Sequence, residues 1–174
     1  EVAFRTAEAS ESIRRIAAEV PGITVGAGTV LSIALAEKAL DAGAQFVVTP
    51  GFNPAVVDWC LVAGLPIIPG VNNPTGVEAA MEKGLSRLKF FPDEVSGGTG
   101  MLKALSGPYP MVSFMPTGGI GPDNLAAYLK LNNVFAVGGS WMVTRELIDR
   151  EDWTGITALA EEAVANVQAL RRKN

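Results

Sequence analysis

Short apolar segments alternate with amphipathic stretches from one end of this chain to the other, and that alternation limits the fold more than any other feature. The apolar segments fall at 2–4, 23–28, 46–49, 66–69, 87–91, 113–116 and 134–137. They are short and apolar on both faces, as strands covered on both sides must be. Helical spacing predicts helices at 9–19, 32–42, 53–63, 75–83, 100–106, 123–131 and about 154–172. In the first of these Ile13 and Ile16 share a face with Val20 just beyond it; in the second Leu35, Ala39 and Ala42 do. Gly43, Gly64 and Gly84 each follow a predicted helix, where a left-handed residue is needed. Asn53-Pro54 and Asn73-Pro74 read as a cap followed by a first-turn proline, and Gly121-Pro122-Asp123 plays a similar part. No linker or low-complexity stretch separates the units, so 1–174 is read as a single domain. Strict βα alternation in one domain gives a parallel sheet, either closed as a barrel or open and doubly wound.

Composition narrows the chemistry. Hydrophobic residues make up 48% of the chain, which suits a buried parallel sheet. No run of eighteen uncharged apolar residues occurs, so no membrane span is expected. The first residues lack the basic start and small-residue cleavage site of a signal peptide. The single cysteine, Cys60, excludes an internal disulfide and reads as packing in an apolar helix. There is no histidine, so acid–base work falls to Glu, Asp, Lys, Tyr or a bound water. No metal site is expected, because clustered His and Cys ligands are lacking. A net charge of −4 argues against a nucleic-acid surface, and an anionic substrate would be attracted only locally.

In a βα barrel the turns after the strands build the active site. Lys89 stands among them, in Arg87-Leu88-Lys89-Phe90-Phe91-Pro92. Burial lowers a lysine's pKa, and the neutral amine attacks carbonyls to form a Schiff base. A strand-end lysine can equally snorkel its head to solvent. Thr117-Gly118-Gly119-Ile120 and Gly138-Gly139-Ser140 follow the last two predicted strands. Paired glycines let backbone N–H groups approach an anion, and barrel enzymes often hold phosphate at their final strand ends. Arg5, just beyond the first strand, either grips a carboxylate with two hydrogen bonds or is a solvated arginine at a helix start. Thr29 either adds a hydroxyl to that carboxylate or caps the helix beginning near Val30. Glu1 is the natural candidate for proton transfer. Asp93 and Glu94 are rival carboxylates, expected on a solvated loop over 93–100.

These motifs, in order along the chain, resemble 2-keto-3-deoxy-6-phosphogluconate aldolases: Glu1-Val2-Ala3-Phe4-Arg5-Thr6, Val25-Gly26-Ala27-Gly28-Thr29-Val30, Lys89-Phe90-Phe91-Pro92, Pro116-Thr117-Gly118-Gly119-Ile120 and Gly138-Gly139-Ser140-Trp141. The resemblance implies an α/β TIM (β/α)8-type barrel with seven βα units visible here, class I Schiff-base chemistry without a cofactor, a cytoplasmic enzyme and a homotrimer. It aligns Lys89 with the Schiff-base lysine and Glu1 with the general acid/base. Arg5 and Thr29 align with the groups holding the pyruvate carboxylate. Gly118, Gly119, Gly139 and Ser140 align with the phosphate contacts, and Thr117 with a position tied to stereochemical choice at the new carbon. Pro69 and Phe91 would line the pocket.

Two departures stand out. Asp93 occupies a position where relatives carry a small residue. The family also has a further strand and helix before the position of Glu1, so the domain is expected to be N-terminally incomplete. An omitted segment, a truncated or rearranged chain, and an engineered fragment all remain open.

The expected partner is a small phosphorylated 2-keto acid, with no nucleic acid and no membrane. The expected reaction is cleavage of 2-keto-3-deoxy-6-phosphogluconate to pyruvate and glyceraldehyde 3-phosphate. Two other classes compete. A phosphosugar isomerase or epimerase on the same barrel would use the phosphate turns but needs two opposed acid–base groups or a metal. A truncated or engineered chain kept only for assembly would form no imine with pyruvate.

Overall fold

In the computed structural model, which describes residues 1–171, parallel strands and helices alternate along the chain. Two compact units are present, Glu1–Phe91 and a second beginning at Pro92.

The first unit contains β1 (Val2–Ala3), α1 (Ala9–Glu19), β2 (Gly26–Gly28), α2 (Ile33–Asp41), β3 (Phe46–Val48), α3 (Pro54–Val62), β4 (Ile67–Ile68), β5 (Gly70–Val71), α4 (Pro74–Glu82) and β6 (Arg87–Phe90). β1 to β4 form one parallel sheet in sequential order. β5 pairs in parallel with β6, Gly70 opposite Lys89 and Val71 opposite Phe90. The expected strand at 66–69 is thus two short strands flanking Pro69. Proline has no N–H to give to a ladder, but its carbonyl accepts from the Lys89 N–H at 2.9 Å.

Side chains from the strands and from the inner helix faces bury one another. Ile13, Val30, Ala36, Ala39, Val47, Val57 and Cys60 are all fully buried in this core. Each aliphatic side chain of the Val or Ile size contributes about 1.5–3 kcal/mol on burial. Cys60 is packing, as expected, and burial pushes its thiol pKa up to about 11.

The helix starts follow the predicted chemistry. Asn53 Oδ1 accepts from Ala55 N–H at 3.1 Å and Asn73 Oδ1 from Gly76 N–H at 2.9 Å, each just before a first-turn proline. Gly43, Gly64 and Gly84 follow α2, α3 and α4 with positive φ. The cap of α2 is Ser32, whose Oγ accepts from Leu35 N–H at 3.3 Å. The alternative of Thr29 as that cap is therefore not what forms. β2 begins at Gly26 rather than residue 23, and Ile23 is exposed.

The second unit contains a 3₁₀ turn (Glu94–Ser96), α5 (Gly98–Ser106), β7 (Ser113–Pro116), α6 (Pro122–Leu129), α7 (Arg145–Asp149) and α8 (Trp153–Arg171). Leu102, Phe114, Leu125 and Tyr128 are among its buried side chains. Three expectations change here. The predicted strand at 134–137 is not continuous; only isolated bridges form, Phe114 with Val134 and Thr117 with Gly138. Phe135 N–H donates to Phe114 O and Gly138 N–H to Pro116 O. Three residues on one side thus match two on the other, and an extra residue breaks a ladder. The stretch from Asp93, expected to be a solvated loop, is a 3₁₀ turn leading into α5, with Asp93 fully buried. α7 was not foreseen, being too short to show a helical period. The last helix was expected to reach about 172, and Arg172 lies outside the described residues.

Candidate active site

On β6, Leu88 and Phe90 lie on one face and Lys89 on the other, as the two-residue strand period requires. Lys89 is only 6% exposed. Its Nζ lies 4.9 Å from the centroid of the Phe91 ring and 3.9 Å from Glu1 Oε1. Burial holds the Lys89 pKa below the ordinary lysine range; the Glu1 carboxylate opposes this, and the Arg5 guanidinium adds to it. Snorkelling to solvent is thereby excluded. The dry environment favours the neutral amine, which is the nucleophilic form.

Glu1 sits beside Gly28, at the end of the neighbouring strand. A Cβ at Gly28 would strike the Glu1 carboxylate, its Cδ being 2.6 Å and Cγ 2.7 Å from that position. Gly28 therefore leaves the space that the Glu1 side chain fills. Phe4 N–H donates to Gly28 O at 2.8 Å and Arg5 N–H to Ala3 O at 2.8 Å, so the chain turns immediately after β1. Arg5 is exposed in that turn, three residues before Glu8, the N-cap of α1. Thr29 follows β2 with φ +56°, a left-handed conformation that β-branched residues rarely adopt. Strain of this kind persists where surrounding structure fixes it, and it concentrates at functional positions. Pro69 is buried and bonds to the Lys89 backbone. The first unit thus brings Glu1 to Lys89, with Pro69 and Phe91 beside the lysine.

The remaining predicted residues belong to the second unit. Gly118 and Gly119 have φ +107° and +82°, so this turn needs residues without a Cβ. Thr117 Oγ1 donates to Met115 O at 3.4 Å, and Thr117 pairs with Gly138. Gly119, Gly139 and Ser140 are exposed, and the Trp141 ring lies against Gly139. Among the described residues, no three His, Cys, Asp or Glu side chains gather to hold a metal ion.

Two features escaped the sequence reading. Thr49 is 1% exposed; its hydroxyl donates to Gly51 O at 2.7 Å and accepts from Gly70 N–H at 3.3 Å. It ties the turn after β3 to β5, the strand beside Lys89. Its place in Thr49-Pro50-Gly51 at a strand end was the only signal. The second feature is the pairing of Asp93 with Tyr128. Tyr128 is 1% exposed, and its hydroxyl contacts carboxylate oxygens of both Asp93 and Glu94. A tyrosine between Leu125 and Leu129 on a buried helix face needs a polar partner for its tip, and that was the legible clue.

Comparison with known proteins places this geometry. The family model for KDPG and KHG aldolases matches residues 1–159. The chain belongs to this family. It is 51% identical over 164 residues to the 2-dehydro-3-deoxy-phosphogluconate aldolase of Treponema pallidum, covering 94% of this chain and 78% of that protein. To the enzyme of the same name from Haemophilus influenzae it is 47% identical, covering 94% of this chain and 77% of the relative. The KDPG aldolase of Legionella pneumophila superimposes with a TM-score of 0.88 at 38% identity, over 91% of this chain and 77% of that one. Its crystal structure holds pyruvate captured at low pH as a covalent carbinolamine intermediate. The α/β fold is of the TIM-barrel type expected from the sequence. Among the described residues no helix is long and apolar enough to cross a membrane.

Proposed function

We infer that this chain is a class I aldolase, a carbon–carbon lyase that cleaves 2-keto-3-deoxy-6-phosphogluconate to pyruvate and glyceraldehyde 3-phosphate. One observation carries the reading: a lysine 6% exposed, its pKa lowered by burial, with a carboxylate 3.9 Å from its nitrogen. The curated relatives of the same activity, at 51% and 47% identity, support it. So does the covalent carbinolamine of the Legionella enzyme, the adduct that precedes an imine.

The neutral Lys89 amine attacks the C2 ketone, and the resulting carbinolamine loses water to give a protonated imine. Glu1, directly or through a water, removes the C4 hydroxyl proton. The C3–C4 bond breaks, its electrons passing into the iminium to give an enamine, and the phosphorylated aldehyde departs. A proton returns to C3, and hydrolysis of the imine frees pyruvate and the amine. Arg5 and Thr29 hold the carboxylate, with Pro69 and Phe91 lining the pocket. Gly118, Gly119, Gly139 and Ser140 hold the phosphate, and Thr117 orients the aldehyde carbon. Fixing both ends of the substrate can supply several kcal/mol of the barrier reduction. Neither a cofactor nor a metal enters this scheme, because the iminium withdraws the electrons. The family resemblance supports a single barrel domain, a homotrimer and a cytoplasmic location.

Lys89→Ala tests this reading. Retro-aldol turnover should vanish while the variant remains folded by circular dichroism; retained turnover would defeat the mechanism.

A further inference from the structure

The Thr117–Gly119 turn is gripped from behind by a compact polar cluster. Asp93 N–H donates to Thr117 O at 3.0 Å, and Glu94 N–H donates to Gly118 O at 3.2 Å. Asn124 Nδ2 donates to Gly119 O at 3.0 Å and to Glu94 Oε1 at 3.3 Å, while Asn124 Oδ1 accepts from Gly121 N–H at 2.9 Å. All three carbonyls of the turn are thereby bound by one cluster. In a trans peptide the N–H points opposite to the C=O of the same unit. The N–H groups of Gly118, Gly119 and Ile120 are therefore directed away from the cluster, as a phosphate cradle requires.

The Tyr128 hydroxyl lies at the centre of the cluster, in contact with both Asp93 Oδ2 and Glu94 Oε1. A phenol has one hydrogen and can donate it to only one carboxylate. The second contact is a good one only if that carboxyl carries a proton and donates to the phenol oxygen. Asp93 is fully buried, and its Oδ1 has no hydrogen-bond partner among the described residues. An ionised oxygen in that state costs far more to bury than the oxygen of a protonated carboxyl.

We propose that the Asp93 and Glu94 carboxyls share one proton across the Tyr128 hydroxyl, which keeps its own, and that this triad makes Tyr128 a positioning residue for the turn that grips the substrate's phosphate. The proposal rests on reading Thr117–Gly119 as that phosphate cradle. The triad places Glu94 against Gly119, where an added Cβ would meet the Glu94 side chain, 2.6 Å from its Cγ. Loss of the shared proton would place two charged carboxylates around one phenol, loosen the turn and add negative charge behind the phosphate.

The groups that act on Asp93 agree. Burial raises its pKa to about 6; the Tyr128 hydrogen bond lowers it and the Glu94 charge raises it. The 3₁₀ turn supplies Glu94 and α6 supplies Tyr128, and the β7 turn and α5 meet Asp93 through the backbone of Thr117 and Gly98. The shared proton should therefore be lost as pH rises through about 6, and the grip on phosphate should weaken over the same range.

The test uses the aldol direction, with pyruvate and either glyceraldehyde 3-phosphate or unphosphorylated glyceraldehyde, for the wild type, Tyr128→Phe and Asp93→Asn. Tyr128→Phe should raise KM for the phosphorylated aldehyde about three- to tenfold, the scale of one hydrogen bond. KM for the unphosphorylated aldehyde and the rate of imine trapping with pyruvate should stay unchanged. The substrate phosphate itself titrates near pH 6, so only the comparison with Asp93→Asn isolates the triad. The wild-type KM for the phosphorylated aldehyde should rise with pH more steeply than that of Asp93→Asn. Equal shifts for both aldehydes, or identical pH profiles for wild type and Asp93→Asn, would overturn the proposal. If the wild type shows no preference for the phosphorylated aldehyde, the cradle reading fails and the proposal falls with it. A preference left intact in both variants sinks the triad alone. Should Tyr128→Phe not fold, the Asp93→Asn profile decides.

Discussion

A lysine 6% exposed, beside an aromatic ring and 3.9 Å from a carboxylate, is a group whose protonation decides its use. Its lowered pKa means the folded chain pays to keep the ammonium, and that cost grows as pH falls through the folded value. The rate of imine formation with pyruvate should therefore rise with pH, with a midpoint below the roughly 10.4 of an ordinary lysine. A stopped-flow or rapid-trapping pH series measures this, and a midpoint at the ordinary value would show that Lys89 is not desolvated. Asp93 obeys the opposite sign. Its folded pKa, about 6, lies above the ordinary 3.8, so its protonated form stabilises the fold at low pH, and that stability is lost as pH rises through about 6. Asp93→Asn should gain melting temperature over the wild type at about pH 8 and little at about pH 4, near the ordinary value. A gain equal at both pH values would place the effect in packing rather than charge.

Helices and most strands were legible because each is a single, uninterrupted period: α1 spans the predicted residues, and α2, α3 and α4 lie within a residue of theirs. What was not legible depended on partners distant in sequence. Pro69 splits a strand because it has no N–H for the ladder, while its carbonyl still pairs with Lys89; residues 134–138 carry an extra residue that only pairing with β7 reveals. Lys89 could be singled out from its apolar neighbours, but the space for the Glu1 carboxylate is created by Gly28, a strand away. Asp93 was misread as solvated because its partner, Tyr128, is 35 residues further on. The close approach at Gly28 yields a direct prediction. Gly28→Ala places a Cβ against the Glu1 side chain and must displace it. Turnover should fall by about a hundredfold, the lower end of what a positioned acid–base group supplies, while imine trapping with pyruvate persists. Unchanged turnover would remove Glu1 from the proton-transfer role.

For the molecule as a whole, a net charge of −4 means that any anionic substrate is drawn by local cations rather than by the overall field. In the proposed mechanism Lys89 and Arg5 would be those cations, and backbone N–H groups of the Thr117–Gly119 turn would take that role for the phosphate. This division asks little of the surface and much of one buried amine. The α/β fold by itself is compatible with many reactions on a barrel scaffold, so the details of the chemistry rest on the site. Borohydride reduction of the full chain in the presence of pyruvate, followed by peptide mapping, tests that most directly. A reduced pyruvate adduct is expected on the peptide carrying Lys89, with no label there in Lys89→Ala. Labelling of Lys83 or Lys103 in its place, or no adduct at all, would contradict the assignment of Lys89.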